Sequence, residues 1–173
     1  LSSTTPTRTP ACAAAHAAAM PAGPAPTTTT SKLSASAIGA DVHRPAEYLY
    51  GDDERVVTHL ELGEKIARKD ATVVHAQSVV MIQCVGCRNA DRNYCSRVCC
   101  SHAIKNALKL KELNPKMSVT VLFRDMRTYG FKEDYYREAA DREVTFVRYD
   151  PEDKPEVEAA TNESGAPCLR VRV

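Results

Sequence analysis

Five cysteines within seventeen residues constrain this chain more than any other feature: Cys84-Val-Gly-Cys87-Arg-Asn-Ala-Asp-Arg-Asn-Tyr-Cys95-Ser-Arg-Val-Cys99-Cys100. The whole chain of 173 residues has only seven, the others being Cys12 and Cys168. An isolated cysteine behaves as a small buried hydrophobe. Five packed this tightly, two of them adjacent, are poor core filler. The run brings several soft thiolate ligands towards one point, which is what iron–sulfur clusters and zinc require.

The bulk numbers narrow the rest. Lys+Arg 23 against Asp+Glu 22 leaves a net charge of +1, so no global field argues for nucleic acid or a membrane surface. No apolar run approaches the roughly 20 residues that span a bilayer, so no membrane span is expected. Residues 1–40 are built mainly from Ala, Thr, Ser and Pro, with no acidic residue before Asp41 and only Arg8 and Lys32 as Lys or Arg cations. Prolines at 6, 10, 21, 24 and 26 interrupt any helix. The stretch from Ala13 to Met20 is too short for a secretory core, and arginine is too scarce for a transit peptide. A disordered low-complexity tail over 1–40 is expected, followed by one α/β domain over 41–173. The chain opens on Leu1 and stops within what reads as a strand, Leu169 to Val173. It is read as a fragment of a longer polypeptide.

Within 41–173, Thr58-His-Leu-Glu61 has the form of a capping box. It predicts a helix through about Arg68, with Leu60, Leu62 and Ile66 on its apolar side. Ser78 to Cys84 is a short apolar run ending at Gly86, suited to a strand buried on both faces. Ser101 to Leu113 carries Ile104, Ala107 and Leu108 at helical spacing, and Asn114-Pro115 ends that helix. Ser118 to Phe123 and Val144 to Tyr149 read as strands, Phe131 to Arg142 as a helix, and Pro151 to Pro167 as polar connection before a last strand near Leu169. Strand, helix, strand, helix, strand in this order implies a mainly parallel, Rossmann-like sheet with helices on its faces.

The first strand runs through a glycine into a helix, where a dinucleotide-binding fold keeps its phosphate loop. Here Gly86 stands alone and G-x-G-x-x-G is absent, so cysteines occupy that space instead. Cys95 and Cys99 are four apart, which in a helical turn sets them on one face. Cys100 is rotated about 100° from Cys99, and Cys84 can close the set from the strand end. The helix start supplies free N–H groups and partial positive charge, and Arg88, Arg92 and Arg97 nearby add cationic charge. A four-ligand set C-x10-C-x3-C-C leaves Cys87 over. Zinc is the rival metal, but only Cys84-Val-Gly-Cys87 has the C-x2-C form of a structural zinc knuckle. A C-x-x-C redox dithiol at Cys84 and Cys87 is a further alternative.

The stretch Val79-Val-Met-Ile-Gln-Cys-Val-Gly86 through Tyr94-Cys-Ser-Arg-Val-Cys-Cys-Ser-His-Ala-Ile-Lys-Asn-Ala-Leu-Lys-Leu-Lys111 closely resembles the A subunit of CoB–CoM heterodisulfide reductase and its bacterial relatives. The likeness continues through Leu122-Phe-Arg-Asp-Met-Arg-Thr-Tyr-Gly-Phe131 and covers roughly residues 38–173. The resemblance implies an iron–sulfur flavoprotein with a thioredoxin-reductase-like pyridine-nucleotide domain, in which a [4Fe–4S] cluster stands where relatives bind NADPH. It implies electron transfer between FAD and the cluster, within a cytoplasmic heterodisulfide-reductase-like or hydrogenase-linked complex of several subunits. The cluster ligands it implies are Cys84, Cys95, Cys99 and Cys100, and Lys105 matches a family lysine on the helix beside the flavin. Cys87 stands where the family commonly has Ser. The glycine-rich FAD loop is missing from residues 1–37, so this chain alone is not expected to hold FAD or turn over. The alternative from another class is a structural zinc-binding or nucleotide-binding α/β module without redox activity.

Overall fold

Val79, Val80, Met81 and Ile82 are consecutive apolar residues. A strand sends alternate side chains to opposite faces, so this segment needs cover on both sides. The computed structural model, which describes residues 14–17, 21–24, 40–163 and 165–173, shows what provides it. Val79 and Met81 join Val119 and Val121 in one cluster with Leu62, Ile104, Ala107 and Leu110. Val80 and Ile82 join Leu122 and Tyr149 in a second, against which Val147, Val157 and Val171 pack.

The elements run β1 (Ala14–Ala17), β2 (Pro21–Pro24), β3 (Ala40–Val42), β4 (Val57–Thr58), α1 (His59–Ala67), α2 (Ala71–Val74), β5 (Ser78–Ile82), α3 (Cys99–Leu113), β6 (Ser118–Phe123), α4 (Lys132–Asp141), β7 (Thr145–Arg148), β8 (Glu156–Thr161) and β9 (Pro167–Arg172). The main sheet has the order β4-β1-β5-β6-β7, and every pairing in it is parallel. The chain is thus α/β with a parallel sheet, as its element order implies. Of the residues read as a tail, the described ones form β1, which pairs with β4 and β5, and β2, antiparallel to β3. The remainder of 1–40 lies outside the described residues, apart from Ala40 at the start of β3.

Helix α1 starts where the capping box puts it. The Thr58 hydroxyl accepts from the Glu61 backbone N–H (3.3 Å), and the Glu61 carboxylate accepts from the Thr58 backbone N–H (2.7 Å). Its inward residues differ from expectation: His59 and Leu62 are buried, whereas Leu60 is 48% exposed. A helix spaced at about 3.6 residues per turn cannot bury 59, 60 and 62 equally, and tertiary packing chose His59. A further expectation needs correction. The segment Pro151 to Pro167 is more than connection, because β8 pairs antiparallel with β9, from Glu156↔Arg172 to Thr161↔Pro167. The second face of the sheet is therefore covered by a β-hairpin, with α1, α3 and α4 packed on the first. Alternating Glu156-Val-Glu158 hides this strand well, since its outward residues are acidic.

Candidate functional site

Strand β5 stops at Ile82, and Gln83 pins the chain before it turns. Gln83 is 0% exposed. Its N–H donates to Leu122 O (2.8 Å), its carbonyl accepts from the Tyr149 hydroxyl (2.6 Å), and its side-chain amide meets His59 Nε2 at 2.8 Å. Asn106 on α3 donates to His59 O at 3.0 Å. These buried polar groups tie the end of β5 to α1, α3 and the residue after β7. Sequence reasoning missed this network, since Gln, His, Asn and Tyr far apart in the chain show no spacing signal.

The next residue, Cys84, has φ 62, and Gly86 has φ 66. The left-handed conformation is uncommon outside glycine, and here it folds the chain back so that the Cys87 N–H meets Cys84 O at 3.5 Å. A Cβ added at Gly86 would overlap the His43 ring, so this glycine is required by both conformation and space. Arg92, further along the loop, donates to the same histidine ring at 2.7 Å.

The second half of the array differs from the expected helical stack. Cys95 lies in the loop, where its sulfur accepts the Arg97 N–H at 3.4 Å, and α3 begins only at Cys99, with Val98 as N-cap. Arg97 at φ 62 breaks the regular spacing, so Cys95 and Cys99 do not share a helical face. Cys99 and Cys100 are the first two residues of α3, both buried. No side chain caps this helix through Val98, although the Cys99 N–H reaches Ser96 Oγ at 3.4 Å. The Cys100 thiol reaches Asp125 O at 3.7 Å, which brings the array against the end of β6.

The electrostatics show that the thiols sense one another. A hydrogen bond from Cys87 outweighs burial and the charge of Cys99, lowering the Cys84 pKa to about 7, helped by Arg88, whose Nη1 stands 4.0 Å from the sulfur. A hydrogen bond from Cys100 likewise outweighs burial and lowers Cys99 to about 6, with help from Ser96 and first-turn N–H groups. The donating partners, Cys87 and Cys100, are pushed up by those same bonds and by burial. Cys95 and Cys99 both act on Cys87 through their charge, and Cys84 acts on Cys100. The five free thiols thus influence one another's ionisation within one loop.

Among the described residues, no three His, Cys, Asp or Glu side chains close on one point that could hold a metal ion as they stand. A single zinc draws its sulfurs to about 2.3 Å from one centre. In a four-iron cluster each thiolate binds a different iron, so its ligands spread around a larger body. An all-sulfur donor set with two depressed pKa values, a helix start and cationic neighbours fits such a cluster in its chemistry.

Lys105 lies one to two turns along α3 and is exposed. It lines a cavity of about 440 Å³ between α3 and α4 with Ser101, Thr128 and Tyr135. Among the described residues, the positive-φ glycines Gly51, Gly86, Gly130 and Gly165 lie apart as single turns. Asp125 pairs with Arg88 at 2.6 Å. His102 stacks on His59 with ring centroids 5.8 Å apart and holds no place in the thiol array.

The parallel α/β sheet thus carries five free cysteines between a strand end and a helix start. The chain is 39% identical over 120 residues to the iron–sulfur A subunit of the CoB–CoM heterodisulfide reductase of Methanocaldococcus jannaschii, covering 61% of this chain and 18% of that protein. It is 33% identical over 149 residues to the A subunit of the ferredoxin:CoB-CoM heterodisulfide reductase of Methanosarcina acetivorans, covering 64% of this chain and 19% of that one. To the A subunit of the H(2):CoB-CoM heterodisulfide,ferredoxin reductase of Methanothermobacter thermautotrophicus it is 35% identical over 131 residues, covering 66% of this chain and 20% of that one. The chain therefore carries a segment related to the A subunits of heterodisulfide reductase, which are oxidoreductase components. It spans about a fifth of the length of these curated relatives. No protein-family model matches it. Among the described residues, no helix is long and apolar enough to cross a membrane.

Proposed function

We propose that this chain is the cluster-bearing segment of a heterodisulfide-reductase-like electron-transfer protein. Cys84, Cys95, Cys99 and Cys100 hold a [4Fe–4S] cluster at the carboxyl end of β5, and Cys87 is a neighbouring thiol outside the ligand set. The cluster supplies one-electron transfer. The protein's part is to hold the thiols and supply positive charge around them through Arg88, Arg92 and Arg97. In the full-length polypeptide the domain is thioredoxin-reductase-like, and FAD lies against α3 beside Lys105, whose charge favours a reduced, anionic flavin. FAD is held by that longer polypeptide and not by this segment. The partners are other subunits of a heterodisulfide-reductase-like or hydrogenase-linked complex, and the setting is cytoplasmic.

The observation that carries this reading is the gathering of the cysteine run between β5 and α3, in a segment whose relatives include a named iron–sulfur subunit. Anaerobic reconstitution followed by metal and sulfide analysis tests it. About four irons with matching acid-labile sulfide per chain are expected of a four-cysteine cubane. Stoichiometric zinc without sulfide would refute the reading and favour a structural zinc site.

A further inference from the structure

Three adjacent parallel strands, β5, β6 and β7, end on the same side of the sheet. An arginine follows or closes each one: Arg88 after the turn from β5, Arg124 immediately after Phe123, and Arg148 as the last residue of β7. The three line a cavity of about 450 Å³ together with Asp125, Tyr149 and Asp150. In open α/β sheets the crevice beyond the carboxyl ends of the strands is where ligands bind.

The arginines are fixed in sequence. Arg124 Nη1 donates to Arg88 O at 3.1 Å, and Arg148 Nε donates to Arg124 O at 3.0 Å. Each such bond holds a guanidinium in place before any ligand arrives, which lowers the ordering cost of binding. One carboxylate, Asp125, serves two of them, standing 2.6 Å from Arg88 and 3.7 Å from Arg148. Arg124 has no ion pair among the described residues, and its Nε is buried without a hydrogen-bond partner. Three guanidinium groups around one space outnumber its two carboxylates, Asp125 and Asp150, and leave positive charge unmet.

We propose that this cavity binds a small phosphoryl-bearing ligand through Arg88, Arg124 and Arg148. A phosphoryl group offers more than one negative charge and several oxygens, which planar arginine forks match better than a lysine or a single dipole would. A carboxylate is a poorer match, since it carries a single charge and two oxygens against three guanidinium forks. The cavity exceeds a bare oxyanion and lies within the range of small-molecule sites, so it has room for an organic body beside the phosphoryl group. This site uses neither Gly86 nor the thiols as ligands. The cleft of about 230 Å³ in front of Cys84 and Cys87 shares Arg88, Arg124 and Tyr149 with it, so a bound ligand sits beside the thiol turn.

Calorimetric titration of the full, cluster-loaded chain with inorganic phosphate, pyrophosphate, ADP and hexaglutamate tests the proposal. Saturable binding of pyrophosphate is expected, weakened about tenfold or more by Arg148→Ala and less by Arg148→Lys, because a charge-assisted bidentate contact is lost. Asp125→Asn removes the competing carboxylate and should tighten binding, a change of opposite sign that loss of folding cannot mimic. Tighter binding of ADP than of pyrophosphate would identify a nucleotide source, and equal binding would show that the phosphoryl group alone is read. Absence of binding by all three phosphoryl probes would overturn the proposal. So would hexaglutamate binding as tightly as pyrophosphate and competing with it, which would mark the arginines as a face for an acidic protein.

Discussion

Tyr149→Phe isolates the bond that fixes the strand end carrying Cys84. The Tyr149 hydroxyl donates to the Gln83 carbonyl at 2.6 Å, and both residues are buried, at 6% and 0% exposure. Phenylalanine keeps the ring and its packing against Ile82 and Leu122, so the change is close to a pure loss of one donor. It leaves the Gln83 carbonyl without that partner in a place water reaches poorly, and an orphaned buried group costs about 1–3 kcal/mol. The short distance and full burial of the acceptor put the expected loss at about 2 kcal/mol. At roughly 2–4 °C per kcal/mol for a domain of this size, that is a fall of roughly 4–8 °C in Tm. Urea unfolding of the apoprotein gives the free energy directly, with the slope m unchanged because the surface exposed on unfolding is unchanged. The loosened turn should also release iron faster from the loaded protein, measured by transfer to a chelator. A loss below about 0.5 kcal/mol, within the range of ordinary surface substitutions, would show that Gln83 is held by its other bonds and that Tyr149 does not brace the cysteine turn.

Three other outcomes follow from the same structure. Cys87→Ser should retain about four irons per chain while Cys99→Ser or Cys100→Ser loses or destabilises the cluster; equal iron loss in all three would remove the assigned ligand set. The isolated chain should bind no stoichiometric FAD, and in the full-length polypeptide Lys105→Ala should shift the flavin potential more than the iron content. An unchanged potential would leave Lys105 as a solvated helix residue. Burial raises the Glu61 pKa, but hydrogen bonds from the Thr58 N–H and hydroxyl and from Tyr50 outweigh it, so the net shift is downward from 4.5. Its stabilising contribution is therefore complete above the ordinary glutamate range and lost as pH falls through the lower, folded value. Unfolding midpoints between about pH 6 and about pH 3 should fall more in the native chain than in Glu61→Gln, which keeps the capping-box geometry without a titrating charge; parallel curves would refute this.

Elements that carry a local signal were legible in the sequence. The capping box at Thr58, the Asn114-Pro115 stop and the continuous apolar run of β5 each act within a few residues, and each falls where the sequence puts it. What failed was set by contacts distant in sequence. Strand β8 is half-exposed, with acidic residues facing outward, and its pairing with β9 is visible only when both are folded. His59 displaced Leu60 from the core because Gln83 and Asn106 give it hydrogen-bonding partners there. The cysteines were identifiable as a group, but the loop conformation that carries them was not. It depends on the left-handed residues Cys84, Arg88 and Arg97, two of them arginines, which carry no sequence mark for that conformation.

Those left-handed positions also explain how one loop can present so many thiols. A regular strand or helix would point five cysteines at this spacing in several directions. Reversals at Cys84, Gly86, Arg88 and Arg97 turn the chain repeatedly over the carboxyl end of the sheet, and the first two residues of α3 close the array. The strain of non-glycine residues in this region, about 1–3 kcal/mol each, must be offset by what surrounds them. Gln83 anchors one end through three elements. The other end is anchored by α3, whose Ala103, Ile104 and Ala107 pack into the core. Arg88 ties the middle to Asp125 after β6. A cluster bound at this loop adds its own stabilisation to the same conformation, since ligand binding to the folded state lowers its free energy by mass action. The rigid elements thus hold the two ends of the loop, and the proposed cluster would fix what lies between.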